Sequence, residues 1–366
     1  MKIAVIIQGE GKGHFSQAME AIARLRSRGE EITGCYIGTS LFRNMPRYFR
    51  DASPLPLKTF LSPNFIRTPD RRGIHVFFSL LVNTLLIPVY LLEALRLGIM
   101  LRRDGSEKLL NFYDPVGAVA GSWMKRKSSK VLISHHFYLS HPDFIHPHGM
   151  EGAYFWLQLM NRTMMRHADE VYALSFRKGS KYGKISVVPP LVPQVLQKTG
   201  KRNDTISAGA PGRIPGHGAQ EPDLCYFLNP GFLEELLRFY QDRPQLEADI
   251  FVEQPGVANA PTNVRLQRAD RDQFLKKMQL AGRVICTAGF DTVAEAFCMG
   301  IPVYIIPSEN HYEQYCNALD AARTGMAFQL ESLMELDEAA FEPAGHAAFA
   351  RWLNTGHDAL FDSTGN

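Results

Sequence analysis

The sequence predicts an α/β protein made of two Rossmann-like halves that face each other across a cleft. Three observations carry that prediction. First, an apolar run of strand length at 3–7 leads through a glycine-rich turn into an amphipathic helix, and the same succession returns at 224–240. Second, a Pro/Gly-rich stretch from 188 to 222 interrupts the chain between them. Third, residues 284–317 (VICTAGFDTVAEAFCMGIPVYIIPSENHYEQYCN) read as strand, small-residue turn, helix, strand and polar loop.

The chain has 366 residues, 45% hydrophobic and 21% charged, enough for two ordinary domains with separate cores. The expected division is 1–190, a linker at 191–222, a second domain at 223–340, and a terminal helix at 341–366 that packs back on the first domain. A net charge of +3 does not favour a general nucleic-acid binder. Five scattered cysteines without a CxxC pair argue against a disulfide scaffold and a zinc site. Met1 and Lys2 run straight into the first strand, so a cytoplasmic protein without a signal peptide is expected.

In chain order, the first strand is followed by QGEGKGH (8–14) and a helix from about Ser16 to Arg28, with apolar spacing at Met19, Ile22, Ala23 and Leu25. Gly9, Gly11 and Gly13 miss the G-x-G-x-x-G spacing, and TGCYIGT (33–39) supplies no acid at its end, so a dinucleotide cofactor is not favoured. Residues 73–101 are strongly apolar, with Arg71, Arg72, Arg102 and Arg103 at the flanks. A single membrane span there would put the first strand on the wrong side of the bilayer. Two helices broken near Pro88, offering an apolar surface to a membrane, fit better. LLNFYD (109–114) and KVLIS (130–134) read as strands whose carboxyl ends present Asp114, His135 and His136, the positions where open parallel sheets hold ligands. His141, His146 and His148 follow, but no carboxylate accompanies these histidines at helical ligand spacing, so no metal site is expected. A helix at 154–167 and a strand at 170–174 complete this half.

In the second half, Asn229 and Gly231 stand in the turn after LCYFL (224–228) and are donor-phosphate candidates. Strands at 248–252 and 264–266 and a helix at 271–280 precede the 284–317 stretch; helices at 315–324 and 341–353 follow. The turn Thr287, Ala288, Gly289 feeding a helix that carries Thr292 makes an anion site, because free backbone N–H groups and the helix dipole converge there. Glu295, one turn beyond Asp291, could accept two hydrogen bonds from a ribose diol. Glu313, Gln314 and Asn317 suit sugar hydroxyls. His14, a free base at neutral pH, suits activation of an acceptor hydroxyl. Lys12 beside it could meet a phosphate.

The order of turn, TVAE helix, GIP strand and EQYxNA loop, together with the G-x-G-x-G-H turn, resembles the GT-B glycosyltransferases, above all the peptidoglycan lipid-linked N-acetylglucosaminyltransferase group and its relatives. That resemblance implies transfer of a sugar from a nucleotide diphosphate-sugar, a UDP-sugar, to an acceptor hydroxyl, without a metal or other cofactor. It implies Glu295 on the nucleotide ribose, Gln314 on the donor sugar, and the Gly9–His14 turn toward acceptor and donor phosphates. His14, by its chemistry, and Asp114, by position alone, are the catalytic candidates. A lipid or glycolipid acceptor at the inner face of the cell membrane is expected. Glu313 stands where the peptidoglycan enzyme has the first of two glutamines, which leaves the sugar open, and LNPG (228–231) lacks that enzyme's glycine-serine loop. An epimerase or hydrolase of nucleotide-sugars on the same fold, and a non-catalytic nucleotide-sugar or lipid binder, are the alternatives.

Overall fold

A computed structural model of the chain describes residues 1–9, 12–41, 45, 47–64, 66, 76–194, 196, 221–227, 232–253, 259–337 and 344–361. Two all-parallel sheets organise it. The first runs β3-β2-β1-β4-β5-β6-β7, from β1 (Lys2–Gln8), β2 (Glu31–Thr39), β3 (Leu57–Leu61), β4 (Lys108–Phe112), β5 (Ser129–Ser134), β6 (Glu170–Leu174) and β7 (Ile185–Val188). The second runs β10-β9-β8-β11-β12-β13, from β8 (Asp223–Tyr226), β9 (Ala248–Val252), β10 (Val264–Arg268), β11 (Arg283–Cys286), β12 (Val303–Ile305) and β13 (Ala327–Gln329). Both orders reverse direction in the middle, between β1 and β4 and between β8 and β11. In doubly wound sheets the ligand crevice opens at that reversal, beyond the strands' carboxyl ends. The expected two-sheet α/β class holds.

Helices cover the sheets because parallel strands bury both faces; all but the first residue of β1 is buried. Around the first sheet lie α1 (Lys12–Ser27), α2 (Arg47–Ala52), α3 (Val76–Leu85), α4 (Ile87–Arg103), α5 (Pro115–Ala120) and α6 (Glu151–Arg166). Around the second lie α7 (Leu233–Gln241), α8 (Arg271–Met278), α9 (Phe290–Cys298) and α10 (Tyr312–Ala322), and α11 (Ala344–Thr355) and α12 (Asp358–Phe361) close the described chain. Helix α1 begins at Lys12 rather than Ser16, so Lys12, Gly13 and His14 form its first turn. Helix α10 begins at Tyr312, so Glu313 and Gln314 are helical rather than part of a loop. The break between α3 and α4 falls at Leu86, with a bend of 57°. Pro88 sits in the first turn of α4, where its missing N–H costs no helical bond. Among the described residues no single helix is long and apolar enough to cross a membrane.

The halves are in direct contact. One face of α10 reaches the first half at helical spacing: Tyr312 bonds His146 (2.7 Å), Asp320 accepts from Ser175 Oγ (3.2 Å), and just past the helix end Arg323 donates to the Asp143 carbonyl (3.3 Å). The core is continuous across this seam through Phe176 stacked on Phe290 (4.5 Å). The last helices also touch the first half. Trp352 donates to the Ser175 carbonyl (3.1 Å), His357 bonds the Pro190 carbonyl (3.0 Å), and Arg24 lies over the Phe361 ring. All five cysteines are buried and free.

Candidate functional site at the seam

The carboxyl end of β11 turns through Thr287, Ala288 and Gly289 into α9. Ala288 has φ of +63°, a left-handed conformation that is uncommon for a residue with a side chain, and Asn317 on α10 pins it by donating to its carbonyl (3.0 Å). Gly289, the exposed N-cap of α9, has no side-chain cap, so the first N–H groups of α9 are not answered by a capping side chain. A Cβ at Gly289 would meet only Thr292 Oγ1 at 3.8 Å. This leaves the strand–turn–helix geometry that favours an anion. Asn229 and Gly231, the other phosphate candidates, lie outside the described residues, as does Gly11.

Glu295 is buried one turn inside α9. Its Oε1 accepts from Arg271 Nη2 (2.5 Å) at the start of α8. Burial raises its carboxyl pKa and the Arg271 charge opposes that rise. Lys12 reaches into the same region: burial lowers its pKa, while Glu253 and Asp270 favour its charge and Arg271 disfavours it. Lys12 and Gly13, in the first turn of α1, therefore face the second half. Gly9 has a packing reason to be glycine, since a Cβ there would stand 2.2 Å from the Gly38 carbonyl oxygen. Gly13 faces the Asp291 carboxylate, 3.5 Å from where its Cβ would stand, and Gln17 donates to Asp291 Oδ1 (2.6 Å).

His14 is buried at the centre of a stack of rings. Its ring packs on Tyr113 (5.6 Å between centroids), His135 (5.9 Å) and His136 (5.4 Å). Burial drives its pKa well below the usual value, and both neighbouring histidines push the same way. It is therefore a neutral imidazole at physiological pH, and its Nδ1 has no hydrogen-bond partner. His135 stacks flat on Phe290 from the second half (4.6 Å, 9°), and His136 on Tyr113 (4.2 Å, 16°). Glu313 comes across the seam to both: Oε1 lies 2.9 Å from His135 Nε2 and Oε2 lies 3.3 Å from His136 Nε2. His136 is oriented from behind by Ser134, whose Oγ is 3.0 Å from its Nδ1. Burial lowers His135 to about 4. Glu313 is held well below the carboxylate range, because the His136 and His135 contacts outweigh its burial.

Gln314 points back to its own loop, its Oε1 accepting from Ser308 N (2.7 Å). Asp114 lies apart from the rings. It caps α5 through Oδ1, which accepts from Gly117 N (2.7 Å), and it is wholly buried. Burial raises its pKa to about 6. The structure thus brings His14, His135, His136 and Glu313 into one cluster and places Thr287, Ala288 and Gly289 in the facing turn and Thr292 and Glu295 on the helix that follows it. Sequence reasoning sought a carboxylate near the histidines at helical spacing; the one that meets them is 178 residues away from His135. It also passed over Asp291 and Gln17, whose pairing only the fold reveals.

No protein-family model matches this chain, and no curated protein matches it in sequence. Solved structures do resemble it. The glycotransferase of kitacinnamycin is 15% identical over 99% of this chain and 97% of its own, with a TM-score of 0.60. MurG of Acinetobacter baumannii is 13% identical over 99% of both chains, with a TM-score of 0.59. The spinosyn rhamnosyltransferase SpnG, solved with thymidine diphosphate, is 15% identical over 97% of this chain and 91% of its own, with a TM-score of 0.54. The likeness is one of fold, and the fold is GT-B.

Proposed function

We propose that this protein is a glycosyltransferase that moves a sugar from a nucleotide diphosphate-sugar to an acceptor hydroxyl. The second half binds the donor and the first binds the acceptor. The observation that carries this reading is the open N-terminus of α9 beside the strained Ala288 turn, with buried Glu295 one turn further along the helix. Backbone N–H groups there would receive the leaving diphosphate, where negative charge grows in the transition state. Glu295, ion-paired with Arg271, would take the ribose hydroxyls. The complex of SpnG with thymidine diphosphate supports a nucleotide diphosphate as the class of ligand.

His14 would accept the acceptor's proton. A neutral imidazole can do so, although a base with so low a pKa pulls less strongly than an ordinary histidine. Asp114 has no exposed surface to offer an acceptor and would act by positioning Tyr113, which carries φ of +62° and packs on His14 and His136. Glu295→Ala should weaken nucleotide binding at least about ten-fold. His14→Ala should cut kcat by about 100-fold and leave donor affinity nearly unchanged. Equal losses of both parameters in both variants would refute these roles.

The acceptor reading is a lipid or glycolipid at the inner face of the cell membrane. The broken pair α3–α4 supports it by exposing Phe78, Leu81, Leu85, Leu91 and Leu92, with Arg102 and Arg103 exposed at its end. Helix α4 packs on α5 and α5 on α6, and α6 adds exposed Tyr154, Phe155 and Trp156. Sequence analysis did not single those aromatics out. Arg71, Arg72 and 73–75 lie outside the described residues.

A further inference from the structure

We propose that His135, His136 and Glu313 bind a zinc-class divalent cation that fastens the two halves together. The cluster has the chemistry for it: two imidazoles and one carboxylate, with donor atoms all within 4.8 Å of one another. A cation with Zn–N and Zn–O bonds of about 2.0–2.2 Å requires its ligand atoms to stand roughly 3–3.5 Å apart. The two contacts that cross the seam, at 2.9 and 3.3 Å, already span about that range. The remaining spacing, between the two imidazole nitrogens, lies within 4.8 Å and would close toward that range around the ion.

The surroundings favour it further. Metal-binding imidazoles are oriented by a partner on their other nitrogen, and Ser134 Oγ does this for His136 Nδ1 at 3.0 Å. His135 is held in plane by Phe290. Its Nδ1 is buried without a partner whichever nitrogen carries the proton, so coordination through Nε2 creates no new unsatisfied group. Three protein ligands leave one coordination position open, as in metal sites that hold water or a substrate oxygen rather than closed structural ones. Because the histidines follow β5 of the first sheet and Glu313 opens α10 beside the second, the bound ion would be a removable staple across the seam.

The proposal is independent of sugar transfer and is tested without turnover. The full chain, carrying no polyhistidine tag and stripped with chelator, is titrated with Co²⁺ as a spectroscopic probe for Zn²⁺. Visible d–d bands saturating at one equivalent are expected, and Zn²⁺ should abolish them. Zn²⁺ should also raise the melting temperature of the wild-type protein. Glu313→Gln and His135→Gln should each weaken Co²⁺ binding by more than about 100-fold and abolish the thermal shift. Two variants from opposite sides of the seam guard against one misfolding, and far-UV circular dichroism checks both. A wild-type protein that shows no saturable Co²⁺ spectrum refutes the site. So does a one-equivalent spectrum that survives in both folded variants, since His141, His146 or His148 would then be responsible.

Discussion

Asp291 carries the most consequential single charge at the seam. Gln17 and Gly13 face it from α1, Glu295 and Arg271 from its own half, and Glu313 from α10. Burial first, and then the Glu295 charge, raise its pKa to about 7. The unfolded chain ionises this group near the ordinary value of 3.8. Between those two values the folded protein holds a proton that the unfolded chain has released, so stability falls as pH rises through that window and the full deficit is present above pH 7. Asp291→Asn keeps an acceptor for Gln17 and removes the charge. It should be more stable than the wild type at pH 8 by on the order of 2 kcal/mol, after allowing for the partial exposure of the residue, with the advantage fading toward pH 4. Thermal melts of both proteins at pH 8 and pH 4.5 decide this; a constant difference across pH would contradict it. Gln17 Oε1 and Asp291 Oδ2 are both buried and unpartnered, which fits a carboxyl that prefers its proton.

At the scale of elements, the tight spots are turns where strands end. A Cβ on Gly38 would stand 2.1 Å from Asp114 Oδ2 and 2.8 Å from Ser62 Cβ. Both neighbours are buried, so neither can move aside cheaply. Gly38→Ala should cost about 1–3 kcal/mol in urea denaturation; a change under about 0.5 kcal/mol would show that the β2 end is looser than the structure indicates. The same scale shows what could be read in advance. Most strands of both sheets were legible as apolar runs, but the edge strands β3, β7 and β13 were not singled out, because they are short and partly exposed, and helices α3 and α4 were legible because Pro88 punctuates them. Helix starts were harder. The first turn of α1 is Lys12, Gly13, His14, which has little apolar periodicity, so the pattern surfaces only at later turns. The face of α10 that meets the first half mixes Tyr312 and Cys316 with Asp320, and an interface face with a buried acid does not look like a core face. The small-residue turn before α9 and the glutamate inside it could be recognised from local order. The ring cluster could not, because its members come from α1, the end of β4, the end of β5 and α10.

At the scale of the whole molecule, two doubly wound sheets present their switch points to one seam, and the seam is already joined by ring stacking, by Glu313 and by the core around Phe290. Away from it, α3, α4 and α6 turn apolar side chains outward. If that face meets a membrane, Leu92→Glu, at a side chain that is 67% exposed, should reduce sedimentation with anionic vesicles by about ten-fold or more while leaving the melting temperature unchanged. Undiminished sedimentation would exclude α4 from the contact.

The turn before α9 and Glu295 are proposed to form a nucleotide diphosphate site. Calorimetric titration of UDP, GDP, dTDP and CMP, and then of their sugar conjugates, into the wild type and Glu295→Ala tests it most directly. Saturable, stoichiometric binding of one of the diphosphates is expected, weakened at least about ten-fold in the variant. Absence of binding by all of them, or equal affinity in wild type and variant, would contradict it.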